Sequence, residues 1–235
     1  MPKDLLKVGF LIVAFLFLLS SAYSETKKSP QPKIEIPENT WDFGYIPENE
    51  VVTHTFIIRN VGDDSLFITK VRTTCCCTHA PLLRSRLGPK EKAEIEVSLN
   101  SRRLKEDVQK AIYISSNDTM ARFSSIFIGA KVGTQNEMVK LIPDKVWFKE
   151  GEKNKTLWVK NISDSSIQIS VPGSPKSPVD FKIDKMNLNP FDSTQISFNI
   201  KEDKFFRPFK TSLTLDFSGV KKIRCTIPIR TIGDK

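Results

Sequence analysis

Residues 59–68 read Arg-Asn-Val-Gly-Asp-Asp-Ser-Leu-Phe-Ile, and this stretch decides the fold because it joins two apolar segments through a tight turn. Asn, Gly and Asp form such turns through side-chain-to-backbone hydrogen bonds, and the flanking apolar residues pair across the turn. A related stretch, Lys-Asn-Ile-Ser-Asp-Ser-Ser-Ile-Gln-Ile, occupies residues 160–169, which lie 101 positions further on. The chain therefore repeats one unit of strand, turn and strand.

Short segments of alternating or β-branched residues surround the first turn, separated by Asn, Gly, Asp and Pro. In residues 51–59 the even positions share one face, and this face is assigned to the core because Phe56 is its largest apolar residue. His54 lies on the same face, where a lone histidine is typical of a hydrogen-bonded residue at the edge of a core. The spacing predicts antiparallel strands of a β-sandwich. The predicted strands are 34–36, 51–59, 66–71, 93–99, 111–115 and 125–132.

The second half of the chain repeats the first. Leu87-Gly88-Pro89 and Leu188-Asn189-Pro190 occur at the same offset of 101 residues, and Trp41 aligns with Trp147 if about five residues are dropped between them. The junction falls near residues 133–136. The predicted fold class is all-β, with two tandem antiparallel β-sandwich domains at residues 34–133 and 134–235.

The N-terminus has the features of an export signal. Two lysines precede an uncharged stretch at residues 8–19, and the small residues Ala22 and Ser24 follow. The uncharged stretch is shorter than the roughly 20 residues of a membrane-spanning helix. Residues 1–24 are therefore predicted to be a cleaved signal peptide, an uncleaved anchor being the alternative, and the Pro- and Lys-containing residues 25–33 a flexible linker. The mature chain is expected to have no transmembrane segment and to be periplasmic, extracellular or on the cell surface.

The charge is unevenly distributed. The formal net charge is +9, and residues 34–133 contain 13 basic and 13 acidic residues whereas residues 134–235 contain 18 and 12. A basic exported half favours an anionic envelope component as a partner. It also fits a solvated lysine-rich surface, because the charges are dispersed along the strands. Nucleic acid is not expected as a partner in that compartment.

Six motifs occur in order in the first half: Trp-Asp-Phe-Gly-Tyr-Ile (41–46), residues 55–63, Leu-Phe-Ile (66–68), residues 71–78, Gly-Pro (88–89) and Ile-Ser-Ser-Asn-Asp (114–118). Together they resemble the exported bacterial family known as domain of unknown function 1573. The resemblance covers about residues 34–133, and it implies an immunoglobulin-like fold, related to the Hydin-type domains of cilia, with no established activity. The family has Cys-Gly-Cys-Thr where this chain has Cys75-Cys76-Cys77-Thr78, and glycine permits backbone angles that Cys76 resists.

The cysteines admit three interpretations. In an oxidising compartment, a structural or redox-labile disulfide between Cys75 and Cys77 is preferred, because a bond to the adjacent Cys76 would close a strained ring. The cations between residues 64 and 91, with no acid among them, favour thiolates and hence a thiol-redox role for the three cysteines. Cys75, Cys77 and His79 also form a candidate set for Cu(I) or zinc, although no second pair of ligands completes a tetrahedral zinc site. Cys225 alternates with isoleucines and is expected to be a buried thiol.

The remaining residues favour binding over catalysis. The carboxylates are scattered, and the sequence has no glycine-rich phosphate loop and no Ser, His and Asp nucleophile motif. The first hypothesis is an exported, non-enzymatic protein without a cofactor that docks a protein or an anionic envelope component through strand edges and loops. One alternative is a metal-binding or thiol-redox protein acting through Cys75, Cys76 and Cys77. Another is a periplasmic protein like a pilus chaperone, by analogy of fold alone.

Overall fold

The computed structural model describes residues 29–133, 136–173, 177–202 and 208–233. These residues form β-strands and no α-helix, which confirms the all-β fold class. The strands are β1 (Ile34–Glu35), β2 (Thr40–Ile46), β3 (Val51–Asn60), β4 (Leu66–Thr73), β5 (Thr78–His79), β6 (Arg86–Leu87), β7 (Lys92–Asn100), β8 (Glu106–Ser116), β9 (Phe123–Val132), β10 (Val139–Ile142), β11 (Val146–Phe148), β12 (Asn154–Asn161), β13 (Ile167–Ser170), β14 (Val179–Ile183), β15 (Asn187–Leu188), β16 (Ser193–Ile200), β17 (Lys210–Ser218) and β18 (Lys222–Thr231).

The strands form two short sheets and one long sheet. The short sheets have the orders β1-β3-β7-β5 and β10-β12-β16-β14. The long sheet has the order β15-β13-β17-β18-β2-β9-β8-β4-β6, with β11 beside β18. Most neighbours are antiparallel, as predicted, but β2 runs parallel to both β9 and β18, and β11 runs parallel to β18.

Two hydrophobic cores lie between these sheets. The first is built from residues between Ile34 and Val132, and the second from residues between Met138 and Ile229. The predicted alternation in β3 is confirmed, since its even apolar positions are buried in the first core. Residues Gln31–Lys235 nevertheless form one compact unit, so the division into two domains stays a prediction.

The predicted signal peptide, residues 1–24, lies outside the described residues. In the part of the chain that the structure describes, no helix is long and apolar enough to cross a membrane.

The two repeated turns use the same side chain in the same way. The Asn60 amide is fully buried; its Nδ2 donates to the Asp64 and Leu87 carbonyls at 2.7 and 3.0 Å, and its Oδ1 accepts from the Gly62 amide. Asn161, also fully buried, donates to the carbonyls of Ser165 and Asn189 at 2.8 and 2.9 Å and accepts from the Ser163 amide. The turn predicted from the repeat is confirmed in both copies.

Residues 31–33, the last part of the predicted linker, lie along the first turn. The Gln31 amide donates to the Asp63 carboxylate at 2.6 Å, and the Val61 amide donates to the Lys33 carbonyl at 2.9 Å. A Cβ atom on Gly62 would collide with the Gln31 carbonyl oxygen, which explains a glycine at this position of the turn. Residues 25–28 of the predicted linker lie outside the described residues.

Loss of either turn asparagine is expected to destabilise the protein by about 2 kcal/mol, because it leaves buried backbone groups without partners. The Asn60→Ala and Asn161→Ala variants should show similar losses in urea unfolding. Asn117→Ala, which removes an exposed side chain that bridges two strands, is the control and should cost less. A loss below about 0.5 kcal/mol in either turn variant, the size typical of an ordinary surface substitution, would contradict the role assigned to these amides.

The long sheet connects the two cores where β2 meets β18. Tyr45 pairs with Cys225, and the Thr226 hydroxyl donates to the Phe43 carbonyl at 2.6 Å. Gly44 makes this approach possible: its φ is +65°, and a Cβ atom there would collide with the Arg224 carbonyl. The glycine of the Trp-Asp-Phe-Gly motif is therefore required by the contact between the two halves.

Trp41 lies at the centre of this junction. Its ring stacks on the imidazole of His54 with centroids 3.6 Å apart, and the Arg224 guanidinium lies 4.7 Å from the indole centroid. Arg224 also donates two hydrogen bonds to Asp216, at 2.6 and 2.9 Å, which hold the guanidinium in place. Burial, together with the Arg224 charge, lowers the pKa of His54 to about 4. The imidazole is therefore neutral at neutral pH, and its 3.5 Å contact with Glu38 is then not an ion pair.

A second polar group ties the two halves together at the start of β3. Glu50 is only 2% exposed, and its carboxylate lies 3.3 Å from the Lys145 ammonium and 3.8 Å from the Arg230 guanidinium. Both cations also lie over the ring of Trp147, at 4.7 and 4.3 Å from its centroid. The sequence repeat aligns Trp41 with Trp147. In both cases an arginine of β18 lies over the indole ring.

Candidate functional site

The three adjacent cysteines form a turn between β4 and β5, here called the cysteine turn (residues 74–77). Cys75 and Cys77 are joined by a disulfide with Cα atoms 5.3 Å apart, which confirms the preferred pairing. The Thr78 amide donates to the Cys75 carbonyl at 3.3 Å, and the Asn100 amide donates to the Cys77 carbonyl at 2.8 Å. The turn is therefore fixed at both ends by backbone hydrogen bonds.

Cys76 is a free, exposed thiol at the tip of the cysteine turn. It replaces the family's glycine without a positive φ, so this turn does not need glycine's conformational freedom. Two of the five nearby cations are engaged elsewhere: Arg84 binds Glu91 at 2.6 Å, and the Arg86 guanidinium lies 5.5 Å from the Phe67 ring centroid. The acid-free run of cations that the sequence shows is therefore partly compensated by Glu91, which lies just beyond it in the chain.

The metal-binding hypothesis needs the same sulfur atoms as the disulfide. With Cys75 and Cys77 bonded to each other, neither is a thiolate ligand, and His79 lies exposed in β5. The described residues contain no group of three His, Cys, Asp or Glu side chains arranged to hold a metal ion. A Cu(I) or zinc site at Cys75, Cys77 and His79 stays a prediction for the reduced chain.

Cys225 is 2% exposed, which confirms the predicted buried thiol. Burial, together with the negative charge of Asp216, raises its pKa to about 12. Its sulfur accepts a hydrogen bond from the Asn136 amide at 3.5 Å. A thiol in this state is protonated and inaccessible at neutral pH.

Alkylation under three conditions is expected to distinguish the exposed thiol, the buried thiol and the disulfide. Iodoacetamide at pH 8 is expected to modify one cysteine rapidly in the folded protein, Cys76, because Cys225 is buried and protonated. Unfolding without reductant should expose a second site, and unfolding with reductant all four. Intact mass after each step gives the count, and Cys76→Ser is the control that removes the first step. Two rapid modifications in the folded state would contradict this assignment.

Three exposed aromatic side chains project from the outer face of the long sheet next to the cysteine turn. Tyr113 of β8 and Phe123 and Phe127 of β9 are 46%, 76% and 46% exposed. Tyr113 pairs with Ser125, so the two phenylalanines, two residues on either side of Ser125, are its diagonal neighbours. Diagonal cross-strand positions are about 7–8 Å apart, within reach of aromatic side chains. The three residues are called the aromatic face.

A groove of about 950 Å³ continues from the aromatic face. Two small residues, Ala111 and Gly129, form its floor. Ala111 is paired with Phe127 on the adjacent strand, and Gly129 is paired with Gln109. Thr74 lines the groove and connects it to the cysteine turn, because its amide donates to the Ala111 carbonyl and its hydroxyl accepts from the Ala111 amide, at 3.2 and 3.3 Å. The cysteine turn and the groove are thus neighbours on one surface.

Sequence reasoning did not identify the aromatic face, although the pattern contains a signal for it. Tyr113 lies between Ile112 and Ile114, and Phe127 between Ile126 and Ile128. In a strand with one buried face, the flanking isoleucines point to the core and the central ring points to solvent. An aromatic residue in the outward position of such a triplet is therefore expected to be exposed, and several of them on one face form an apolar patch.

Comparison with known proteins bears on the half that contains this site. Residues 34–132 match the family described as "Protein of unknown function (DUF1573)". The resemblance inferred from the motifs is therefore confirmed, and the cysteine turn, the aromatic face and the groove all lie within the matched residues. No curated protein matches the chain.

Several solved structures are similar to this chain at low sequence identity. A protein of unknown function from Porphyromonas gingivalis W83 is 10% identical, with a TM-score of 0.33 over 84% of this chain and 99% of that chain. The periplasmic chaperone SfaE is 8% identical, with a TM-score of 0.34 over 86% and 100%. A PapD-like domain of human CEP192 is 10% identical, with a TM-score of 0.38 over 48% and 94%. These similarities are too distant to indicate a function for this chain.

Proposed function

We propose that this chain is an exported, non-enzymatic binding protein that docks a protein partner on the aromatic face. The observation that carries the proposal is the exposure of three aromatic rings, Tyr113, Phe123 and Phe127, on one face of two paired strands. Contiguous exposed apolar surface of this kind marks interaction sites in soluble proteins. Tyrosine and phenylalanine are enriched in protein interfaces, and tyrosine is also frequent among the residues that dominate binding energy.

The surroundings of the aromatic face fit a protein interface. Lys70 and Arg72 of β4 pair with Ser115 and Tyr113 and give the face a basic rim. The groove beside the rings, with its floor of small residues, has the size to accept an apolar side chain of the partner. An aromatic centre with a polar or charged rim is the usual composition of such interfaces.

The structure favours the sheet face over the strand edges that the sequence suggested as docking elements. Among the described residues, the strands at the ends of the sheets are short: β1, β5, β6 and β15 have two residues each, β10 has four and β14 has five. These short strands offer few free backbone groups of their own for pairing with an added strand. The partner is therefore expected to contact side chains of the face.

The proposal is tested by comparing partners of matched variants exported with an affinity tag. Tyr113→Asp together with Phe127→Asp should reduce recovery of a specific cross-linked partner at least tenfold, as measured by quantitative mass spectrometry. The control, Phe191→Asp with Val220→Asp, places the same charges at exposed apolar positions elsewhere and should retain it. Equal recovery with the aromatic-face and control variants would contradict the proposal.

The same experiment separates binding from thiol chemistry. The double variant Cys75→Ser with Cys77→Ser should fold, since a disulfide that closes a three-residue loop contributes only about 1.5 kcal/mol. It should also retain the partner. Loss of every partner in this variant, with the aromatic-face variant unaffected, would favour the thiol-redox alternative, which the exposed Cys76 beside a disulfide keeps open.

A further inference from the structure

A second surface with a distinct composition lies on the outer side of the sheet β10-β12-β16-β14. In the register of β10 and β12, Lys140 is directly opposite Lys160, and Ile142 is directly opposite Trp158. All four residues are exposed, and Trp158 and Ile142 retain 48% and 45% of their accessible surface. Their neighbours Leu141 and Val159 point the other way, into the second core. These four outward residues are called the basic face.

The two lysines of the basic face are opposed without a neutralising acid. Like charges directly opposite each other on antiparallel strands destabilise a sheet. Other lysines of this half have acidic partners: Lys155 binds Glu152 at 2.8 Å, and Lys185 lies 3.4 Å from Asp192. Among the described residues neither Lys140 nor Lys160 has such a partner. Their positive potential is therefore available to an external anion.

The charge of the basic face continues across the same sheet. Lys182 of β14 pairs with Ser197 of β16, which in turn pairs with the outward Thr156 of β12. Lys182 is exposed and projects from the same side. Ile162, the next outward position after Lys160, is also exposed. The outer side of this sheet thus presents lysines together with apolar side chains.

We propose that the basic face docks this protein on an anionic phospholipid surface. Each lysine near such a surface is attracted to the acidic headgroups, and tryptophan prefers the boundary between headgroups and acyl chains. One sheet face presents both residue types to a membrane at the same time. This proposal is independent of the proposed protein partner, because the basic face and the aromatic face belong to different sheets.

The apolar pair of the basic face, Ile142 and Trp158, distinguishes a membrane from other anionic partners. Burying Ile142 and Trp158 is favourable only if the partner offers an apolar layer. An acidic polysaccharide or a soluble acidic polypeptide would attract the lysines and leave this pair in water. The combination of opposed lysines with an exposed tryptophan and isoleucine therefore favours a lipid surface.

The test is sedimentation of the mature chain with vesicles of phosphatidylcholine alone or of phosphatidylcholine mixed with phosphatidylglycerol. Binding is expected only with the anionic lipid, and Lys140→Gln with Lys160→Gln should weaken it about 30-fold. Lys92→Gln with Lys105→Gln is the control, because it removes the same charge from exposed positions of the other half. Emission of Trp158 should shift to shorter wavelength on binding, and Trp158→Ser should abolish that shift.

Three outcomes would overturn the proposal. The first is no binding to anionic vesicles by a folded chain, and the second is an equal loss in the two lysine variants, which would indicate an effect of net charge. The third is displacement from vesicles by soluble polyglutamate at equal charge concentration with no shift of Trp158 emission, which would indicate an acidic polymer as the partner. Circular dichroism of each variant confirms that the chain is folded.

Discussion

Replacing both cations that face Glu50 is expected to lower the free energy of unfolding by about 3–5 kcal/mol. In the variant Lys145→Met with Arg230→Met, the carboxylate of Glu50, only 2% exposed, would remain buried without either of its cations. Loss of the two cations over Trp147 adds to the effect. Urea unfolding followed by fluorescence measures the loss.

Adding Glu50→Leu to this variant is the informative control. If the cost comes from an unpaired buried charge, the triple variant should recover most of the lost stability, because replacing a buried ion group by apolar residues is often nearly neutral. Lys131→Met removes an exposed cation over Tyr45 and should cost less than about 1 kcal/mol. A double variant within about 1 kcal/mol of the wild type, the cost of an average substitution, would show that Glu50 does not connect the halves energetically.

The second large effect is a loss of stability in mild acid caused by His54. Its pKa is about 4 in the folded protein and about 6.5 in an unfolded chain, so below pH 6.5 the unfolded chain binds a proton that the folded protein does not. The stabilisation is therefore fully present above pH 6.5 and is lost progressively as the pH falls to 4. The difference between the two pKa values corresponds to roughly 3 kcal/mol.

His54→Phe isolates this contribution, since phenylalanine can stack on Trp41 and carries no titratable group. The stability of the variant relative to the wild type should rise steadily as the pH falls from 6.5 to 4. The control His79→Gln, at an exposed position, should keep the wild-type pH dependence. Carboxylates whose pKa is lowered change the stability at lower pH than His54 does. One example is Asp118, which accepts hydrogen bonds from the backbone amides of Ile34 and Met120. Parallel stability curves for the wild type and His54→Phe would contradict the assignment.

Local patterns predicted the parts of this fold that depend on neighbouring residues. Asn60 and Asn161 each donate to a carbonyl four residues away and accept from an amide two residues away, so the repeated sequence was sufficient to locate their turns. The Cys75–Cys77 disulfide followed from ring strain at adjacent cysteines. Alternation placed Phe56 in the first core and His54 at its edge.

The junction could not be predicted, because its contacts join residues far apart in the chain. Trp41 meets Arg224, and Glu50 meets Arg230, across about 180 residues. Nothing near Gly44 in the sequence indicates that its hydrogen atom faces the backbone of β18. The prediction of two tandem sandwiches did not include a sheet that runs through both halves.

Only part of the candidate site could be predicted, because the rest of it also depends on contacts between separate strands. The cysteines are adjacent in sequence and were recognised at once. The aromatic face depends on the register of β8 and β9, which brings Tyr113 between two phenylalanines from the following strand. The basic face likewise depends on the register that places Lys140 of β10 opposite Lys160 of β12.

The most direct test of the proposed function is photo-cross-linking in cells that export the protein. With p-benzoylphenylalanine in place of Phe127, the proposal predicts one dominant protein adduct, which disappears when Tyr113→Asp is added. The same photoreactive residue in place of Phe191, exposed on the other half, should give no such adduct. Identical adducts from both positions, or none from position 127, would contradict a protein-binding role for the aromatic face.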